Sequence, residues 1–210
     1  MKLYIVRHGE TDWNKEKRVQ GHSDIPLNEF GISLAKKTAI GLKNVKFDVA
    51  YSSPLCRASE TARLIIDDDN VPRIEDERLE EIGFGEYEGL CCSKEGWNIP
   101  DKEFKKFFES PDEYKAPKGG ESFAEVKNRA HLFLRELYQK KEYENSNVLI
   151  ATHGATLCGM LNDMKNLGLS EFWQGGIHRN CAVTIAEVHQ GKPTILEEGI
   201  VYYDDEVQPW

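Results

Sequence analysis

Three features of the chain predict an α/β fold, a three-layer sandwich with a mostly parallel central sheet flanked by helices. Leu3 to Val6 and Asn147 to Thr152 are continuous apolar runs, the pattern of short strands covered on both faces. Segments of helical periodicity alternate with such runs along most of the chain, which is the order of parallel-sheet architectures. No internal repeat and no run of about 18 apolar residues interrupts this order, so neither a solenoid nor a transmembrane helix competes with it.

The elements follow in sequence. Asn28 is an N-cap for a helix running to about Lys43, with Leu34, Ala35, Thr38 and Leu42 as its inner stripe, although Gly31 and Gly41 weaken it. Phe47 to Tyr51 reads as a second strand ending in Ser52-Ser53-Pro54, and Leu55 to Ile66 as the helix after it. From Arg78 to Gly120 repeated glycines and prolines break the periodicity, with one short helix expected over Asp101 to Glu109. Residues 1–210 are therefore expected to form a single domain in which 90–120 is a lid, too short for a core of its own. Ser122 and Glu125 make a capping-box signature for a long amphipathic helix to about Lys140. A helix from Thr156 to Leu167 and a strand from Val183 to Val188 complete the pattern, and the tail from Tyr202 to Glu206 is expected at the surface or lightly docked.

Composition narrows the partners. With 40% hydrophobic and 30% charged residues over 210 positions, the chain can bury a sizeable core. Its formal net charge of −9, with no basic tract, argues against nucleic acid as a partner. It also means that an anionic substrate needs a local basic pocket. Five cysteines show neither metal-ligand nor disulfide-scaffold spacing and read as free thiols of a reducing compartment. The chain reaches strand-like residues at once, without a basic leader, so cytoplasmic placement is the expectation, as monomer or homodimer.

Chemistry concentrates at two strand tips, His8-Gly9 and His153-Gly154. In a parallel sheet the C-terminal strand ends share one edge, so both histidines are expected in one crevice. Arg7 adjoins His8, and Arg57 begins the helix after the second strand tip; guanidinium forks match phosphoryl oxygens. An imidazole attacking phosphorus also needs an acid to protonate the departing alkoxide. The tract from Glu77 to Glu88 offers five carboxylates, and apolar Ile82 and Phe84 favour Glu80 or Glu81, because apolar surroundings raise a carboxyl pKa.

The stretches LYIVRHGETDWN, VQGHSDIPLNEFG, YSSPLCRASETA, RLEEIGFGEYEG, PKGGESF and VLIATHGATL together resemble the histidine phosphatase superfamily, in its phosphoglycerate mutase-like branch. The resemblance implies that His8 is the nucleophile of a covalent phosphohistidine, that Arg7, Arg57 and His153 hold the phosphoryl oxygens, and that Glu81 is the general acid. It implies substrate or loop-shaping roles for Thr11, Asn14, Gln20 and Gly21, while His22 lies near the entrance and Asn180 matches a structural asparagine. It implies no metal and no cofactor, and a small phosphorylated metabolite as substrate. The short lid, the HGAT motif and the QG…DIPL stretch look more like the phosphatases than the mutases, which carry a longer insertion and HGN. Hydrolysis is the expectation, with mutase activity as the alternative and a non-catalytic phospho-ligand module as a further one. Relatives acting on the ribazole phosphate of cobalamin synthesis share the compact layout. The lid aromatics Phe84, Tyr87, Trp97, Phe104, Phe107 and Phe108 either line the entrance or pack the lid.

Overall fold

A computed structural model describes residues 1–207. Its centre is a six-stranded sheet: β1 (Lys2–Arg7), β2 (Val49–Ser52), β3 (Arg73–Glu75), β4 (Asn147–Thr152), β5 (Val183–His189) and β6 (Lys192–Ile200), in the spatial order β3-β2-β4-β1-β5-β6. β3, β2, β4 and β1 run parallel, whereas β5 is antiparallel to β1 and β6 antiparallel to β5. The sheet is thus mixed, with its parallel part where the two apolar runs predicted it.

Alternation along the strands sorts the core into two faces. Leu3, Ile5, Val148 and Ile150 face one side with Phe133, Leu134, Leu137, Leu157 and Met160 of helices α5 (Phe123–Gln139) and α6 (Gly154–Lys165). Tyr4, Val6, Leu149 and Ala151 face the other, where Leu42, Ala62 and Ile65 of the α2 (Glu29–Gly41) and α3 (Cys56–Ile65) region cover them. The sheet therefore has helices on both faces, in three layers. One turn of helix, α1 (Asp12–Lys15), follows β1 and is capped by Thr11.

Local capping matches the sequence signals. The Asn28 side chain accepts from the Gly31 N–H at 2.8 Å, and Ser122 and Glu125 form a reciprocal capping box on α5. The glycines within and before α2 have a packing origin. A side chain on Gly9 would meet the Gly31 carbonyl oxygen at 2.7 Å, and one on Gly31 would meet the Glu10 carbonyl oxygen at 2.1 Å. Backbone crosses backbone there, so Gly9 serves close approach rather than a left-handed turn. Gly41 makes room for the Tyr202 ring in the same way.

The structure adds two strands and corrects two expectations. β3 and β6 were not legible: β3 is three exposed residues, and β6 is an edge strand carrying Pro193 and Gly199, two residues that weaken any strand pattern. The tail is firmly docked, since Tyr203 is buried, its hydroxyl donates to the Asn180 carbonyl at 2.5 Å, and Asp205 pairs with Lys37. The expected helix over Asp101 to Glu109 begins as 3-10 turns at Lys102–Lys105 and becomes α4 only over Lys106–Glu109. The stretch 99–114 buries Ile99, Phe104, Phe107 and Tyr114 in one cluster with Phe123 and Val126 of α5, Ala155 and Cys158 of α6, and Phe172. Each buried phenylalanine contributes roughly 1.5–3 kcal/mol, enough to hold so short a segment against the body.

Candidate active site

The site begins with sheet register. β1 and β4 are hydrogen-bonded neighbours in which Arg7 pairs with Thr152, so the residues that follow, His8 and His153, emerge side by side. Their ring centroids lie 5.1 Å apart. Both are buried, and burial, followed by the nearby Arg57 charge, holds each well below the ordinary histidine range. Both rings are therefore neutral at pH 7.

Hydrogen bonding assigns the tautomers. His8 Nδ1 lies 2.6 Å from the carbonyl oxygen of Gly9; a carbonyl only accepts, so Nδ1 carries the proton and Nε2 keeps its lone pair. For His153 the assignment is reversed. Its Nδ1 accepts from Arg57 Nε at 3.2 Å, which puts the proton on Nε2, an atom with no hydrogen-bond partner among the described residues. One ring thus offers an unprotonated nitrogen and its neighbour an N–H donor.

The cations are set by backbone carbonyls. Arg7 Nη1 donates to the His178 carbonyl at 2.5 Å. Burial brings the Arg7 guanidinium down to about 10, with Glu81 opposing, so it remains charged at neutral pH. Arg57, fully buried on the first turn of α3, donates Nη1 to Ser23 O at 2.9 Å and Nη2 to Gly21 O at 2.7 Å. Each Nη of Arg57 carries a second N–H that can meet an anion.

Glu81 approaches from the segment after β3. Its Oε1 accepts from the backbone N–H groups of Ala155 at 3.0 Å, Thr156 at 3.3 Å and Ile82 at 2.9 Å. It therefore occupies the N-terminus of α6, whose N-cap His153 makes no side-chain cap bond. Arg129 on α5 fixes that segment from behind: its Nη1 donates to the carbonyls of Arg78 (2.8 Å) and Glu80 (2.6 Å), and its Nη2 to that of Glu81 (3.0 Å). Glu121 receives the same guanidinium through both oxygens, each at 3.0 Å, and accepts the Gly83 N–H at 2.9 Å. Burial alone would push the Glu121 carboxyl up, but His22 and Arg129 outweigh it and bring it to about 2.

Arg7, His8, Asn14, Gln20, Arg57 and Glu81 all line one cavity, whose other lining side chains include Ile82, Phe84, Phe107, Trp173 and Ile177. His153 packs at the same end, against His8 and Arg57. The remaining sequence candidates support rather than line it. The Thr11 hydroxyl is buried between Asn14 Oδ1 (3.2 Å) and Gln20 Oε1 (3.0 Å), and Gly21 lends its carbonyl to Arg57. His22 turns away, its Nε2 donating to the Glu81 carbonyl at 2.9 Å beside Glu121. Asn180 donates to the His8 carbonyl at 3.0 Å. Of the six aromatics in question, Phe84 and Phe107 reach the cavity, whereas Tyr87, Trp97 and Phe108 pack around Phe104.

Sequence reasoning missed Arg129, Glu88, Trp173 and Ile177. Glu88 accepts the backbone N–H groups of His22 (2.9 Å), Ser23 (2.7 Å) and Phe84 (3.2 Å), binding the Gln20 loop to the Glu81 segment. An arginine at a polar position of an amphipathic helix, or one glutamate among five, carries no local signal for such contacts.

A model of the histidine phosphatase superfamily (branch 1) matches residues 3–200. The chain belongs to that superfamily. It is a phosphomonoesterase of the metal-independent histidine-phosphatase type, acting by hydrolysis on a small phosphometabolite. It is 33% identical over 200 residues to phosphoserine phosphatase 1 of Hydrogenobacter thermophilus, covering 95% of this chain and 92% of that one. It is also 33% identical over 201 residues to 2,3-bisphosphoglycerate-dependent phosphoglycerate mutase 2 of Gloeobacter violaceus, covering 93% and 89%. The solved structure of Bacillus stearothermophilus YhfR superposes with a TM-score of 0.87 at 35% identity, over 95% of this chain and 97% of that one. No described helix is long and apolar enough to cross a membrane.

Proposed function

We propose that the chain hydrolyses a small phosphomonoester through a phosphohistidine formed on His8. The carrying observation is the Nδ1–H of His8 donated to Gly9 O, which leaves Nε2 as the attacking atom. Nε2 forms the P–N bond as the P–O ester bond breaks, and Glu81 gives its proton to the departing oxygen, releasing the alcohol. The imidazole becomes cationic in this step, and the Gly9 carbonyl strengthens its hold on Nδ1–H. Arg7, Arg57 and the Nε2–H of His153 take the charge of the phosphoryl oxygens as the transition state develops. Ionised Glu81 then takes a proton from water, the water oxygen attacks phosphorus, the P–N bond breaks, and inorganic phosphate leaves with His8 neutral again.

Hydrolysis is favoured over phosphoryl return to a bound glycerate by the lid chemistry. None of Lys94, Lys102, Lys105, Lys106, Lys115 or Lys118 is among the residues lining the cavity, so nothing from the lid clamps a second anionic group. In this reading the chain is one domain, with 90–120 as its lid. Phosphate release and 3-phosphoglycerate mutation, assayed in parallel, test it. The expected outcome is release that His8→Ala reduces at least about 10⁴-fold, with no mutase turnover. Efficient mutase turnover, or release undiminished in His8→Ala, would overturn it.

A further inference from the structure

The cavity divides sharply by chemistry. Arg7 and Arg57 are the only cations among its described lining residues, and both belong to the phosphoryl end. His8, Asn14, Gln20, Gly154 and Ala155 also line the cavity, and its remaining wall is Ile82, Phe84, Phe107, Trp173 and Ile177, with Glu81 as its one carboxylate.

The apolar end is a fixed surface. The Phe84 and Phe107 rings lie 5.1 Å apart, and Phe107 and Trp173 5.3 Å apart. Phe107 is itself wedged against Tyr114 and Phe123 at 5.2 and 5.0 Å. The single polar atom of Trp173, Nε1, is already donated to the Phe107 carbonyl at 2.5 Å. What this wall presents to a substrate is therefore carbon. A carboxylate on the organic half of the ester would lose its water there and find no cation. A flat ring or an alkyl chain would exchange water for matched apolar surface.

We infer that the site selects phosphomonoesters of uncharged alcohols with an aromatic or alkyl body, and discriminates against carboxylated phosphometabolites such as phosphoserine and the phosphoglycerates. The inference rests on the hydrolase reading above and adds to it the substrate class. Specificity is set by Phe107, Trp173 and Ile177, and none of these takes part in the proton or phosphoryl transfers.

The test compares kcat/KM for 2-phenylethyl phosphate and O-phosphoserine, both esters of unactivated primary alcohols. The expected preference is at least about tenfold for the phenylethyl ester, carried mainly by KM. Trp173→Ala is expected to narrow that ratio by raising KM for the phenylethyl ester, and Ile177→Arg, which adds the missing cation, to shift it toward phosphoserine. Wild-type enzyme that hydrolyses phosphoserine or 3-phosphoglycerate as well as the phenylethyl ester, or better, overturns the inference while leaving His8-dependent hydrolysis intact. Absence of His8-dependent release from every ester would overturn the underlying hydrolase reading, and the inference with it.

Discussion

An imidazole attacks phosphorus only through a nitrogen that carries no proton, so the state of two buried rings decides this site. His8 and His153 are each held well below the ordinary histidine value, first by burial and then by Arg57. The consequence for stability has a definite sign. In the unfolded chain each ring takes up a proton near pH 6.5, while in the folded protein it stays neutral. Below that pH the unfolded state binds more protons, so stability falls with falling pH by up to about 1.4 kcal/mol per unit for each ring. His22 works the other way: its bond to Glu121 raises it, so its contribution is full below about pH 6.5 and fades as pH climbs through the raised value. It is half-exposed and correspondingly weaker. Glu121, brought down to about 2, contributes fully above its unfolded value and affects only more acidic conditions. Urea unfolding at pH 7.5 and 5.5 should therefore show lower stability at pH 5.5, with a shallower loss in His153→Gln. An equal or steeper loss in that variant would refute buried neutral histidines as the source. Both rings were legible in the sequence, because a strand followed by His-Gly is a local pattern. Their opposite tautomers were not, since these depend on one carbonyl and on one guanidinium from a distant helix.

At the scale of elements, Glu81 depends on parts far from it in sequence. α6 supplies the N–H groups that hold its carboxylate, and Arg129 of α5 holds the carbonyls of the segment that carries it. Glu81→Gln is expected to slow alkyl esters by about 10²–10³-fold while affecting activated aryl phosphates far less, because only poor leaving groups need the proton. Arg129→Met should show the same leaving-group signature at smaller size, with Arg129→Lys recovering only part, since one ammonium cannot reach three carbonyls. An Arg129→Met loss equal on both ester types would assign that residue a purely structural role. Sequence narrowed the acid to Glu80 or Glu81 through apolar neighbours, and the resemblance selected Glu81. The geometry adds a physical distinction, since Glu81 lines the cavity and Glu80 does not. Arg129 stayed hidden because a helix's polar positions look alike until their partners are known.

Across the whole molecule, the parallel part of the sheet does the organising. Placing β1 beside β4 brings residues 8 and 153 together, and the crossover helices deliver Arg57 and the α6 N-terminus to the same edge. This much followed from apolar runs and helical periodicity. The edges did not, because β3 and β6 gain their order from pairing with neighbours rather than from their own residues. The aromatic segment 90–120 was visible as irregular sequence, but which of its rings face the cavity depends on how Phe104 and Phe107 settle against α5. The central claim is that phosphorus passes through His8. Rapid acid-free quenching during turnover, followed by peptide mapping of the phosphorylated residue, tests it most directly. The expected result is an acid-labile, base-stable phosphoryl group on the peptide containing His8, formed and lost at rates compatible with turnover and absent from His8→Ala. Full turnover with no phosphorylated His8 peptide, or with label on another residue, would contradict it.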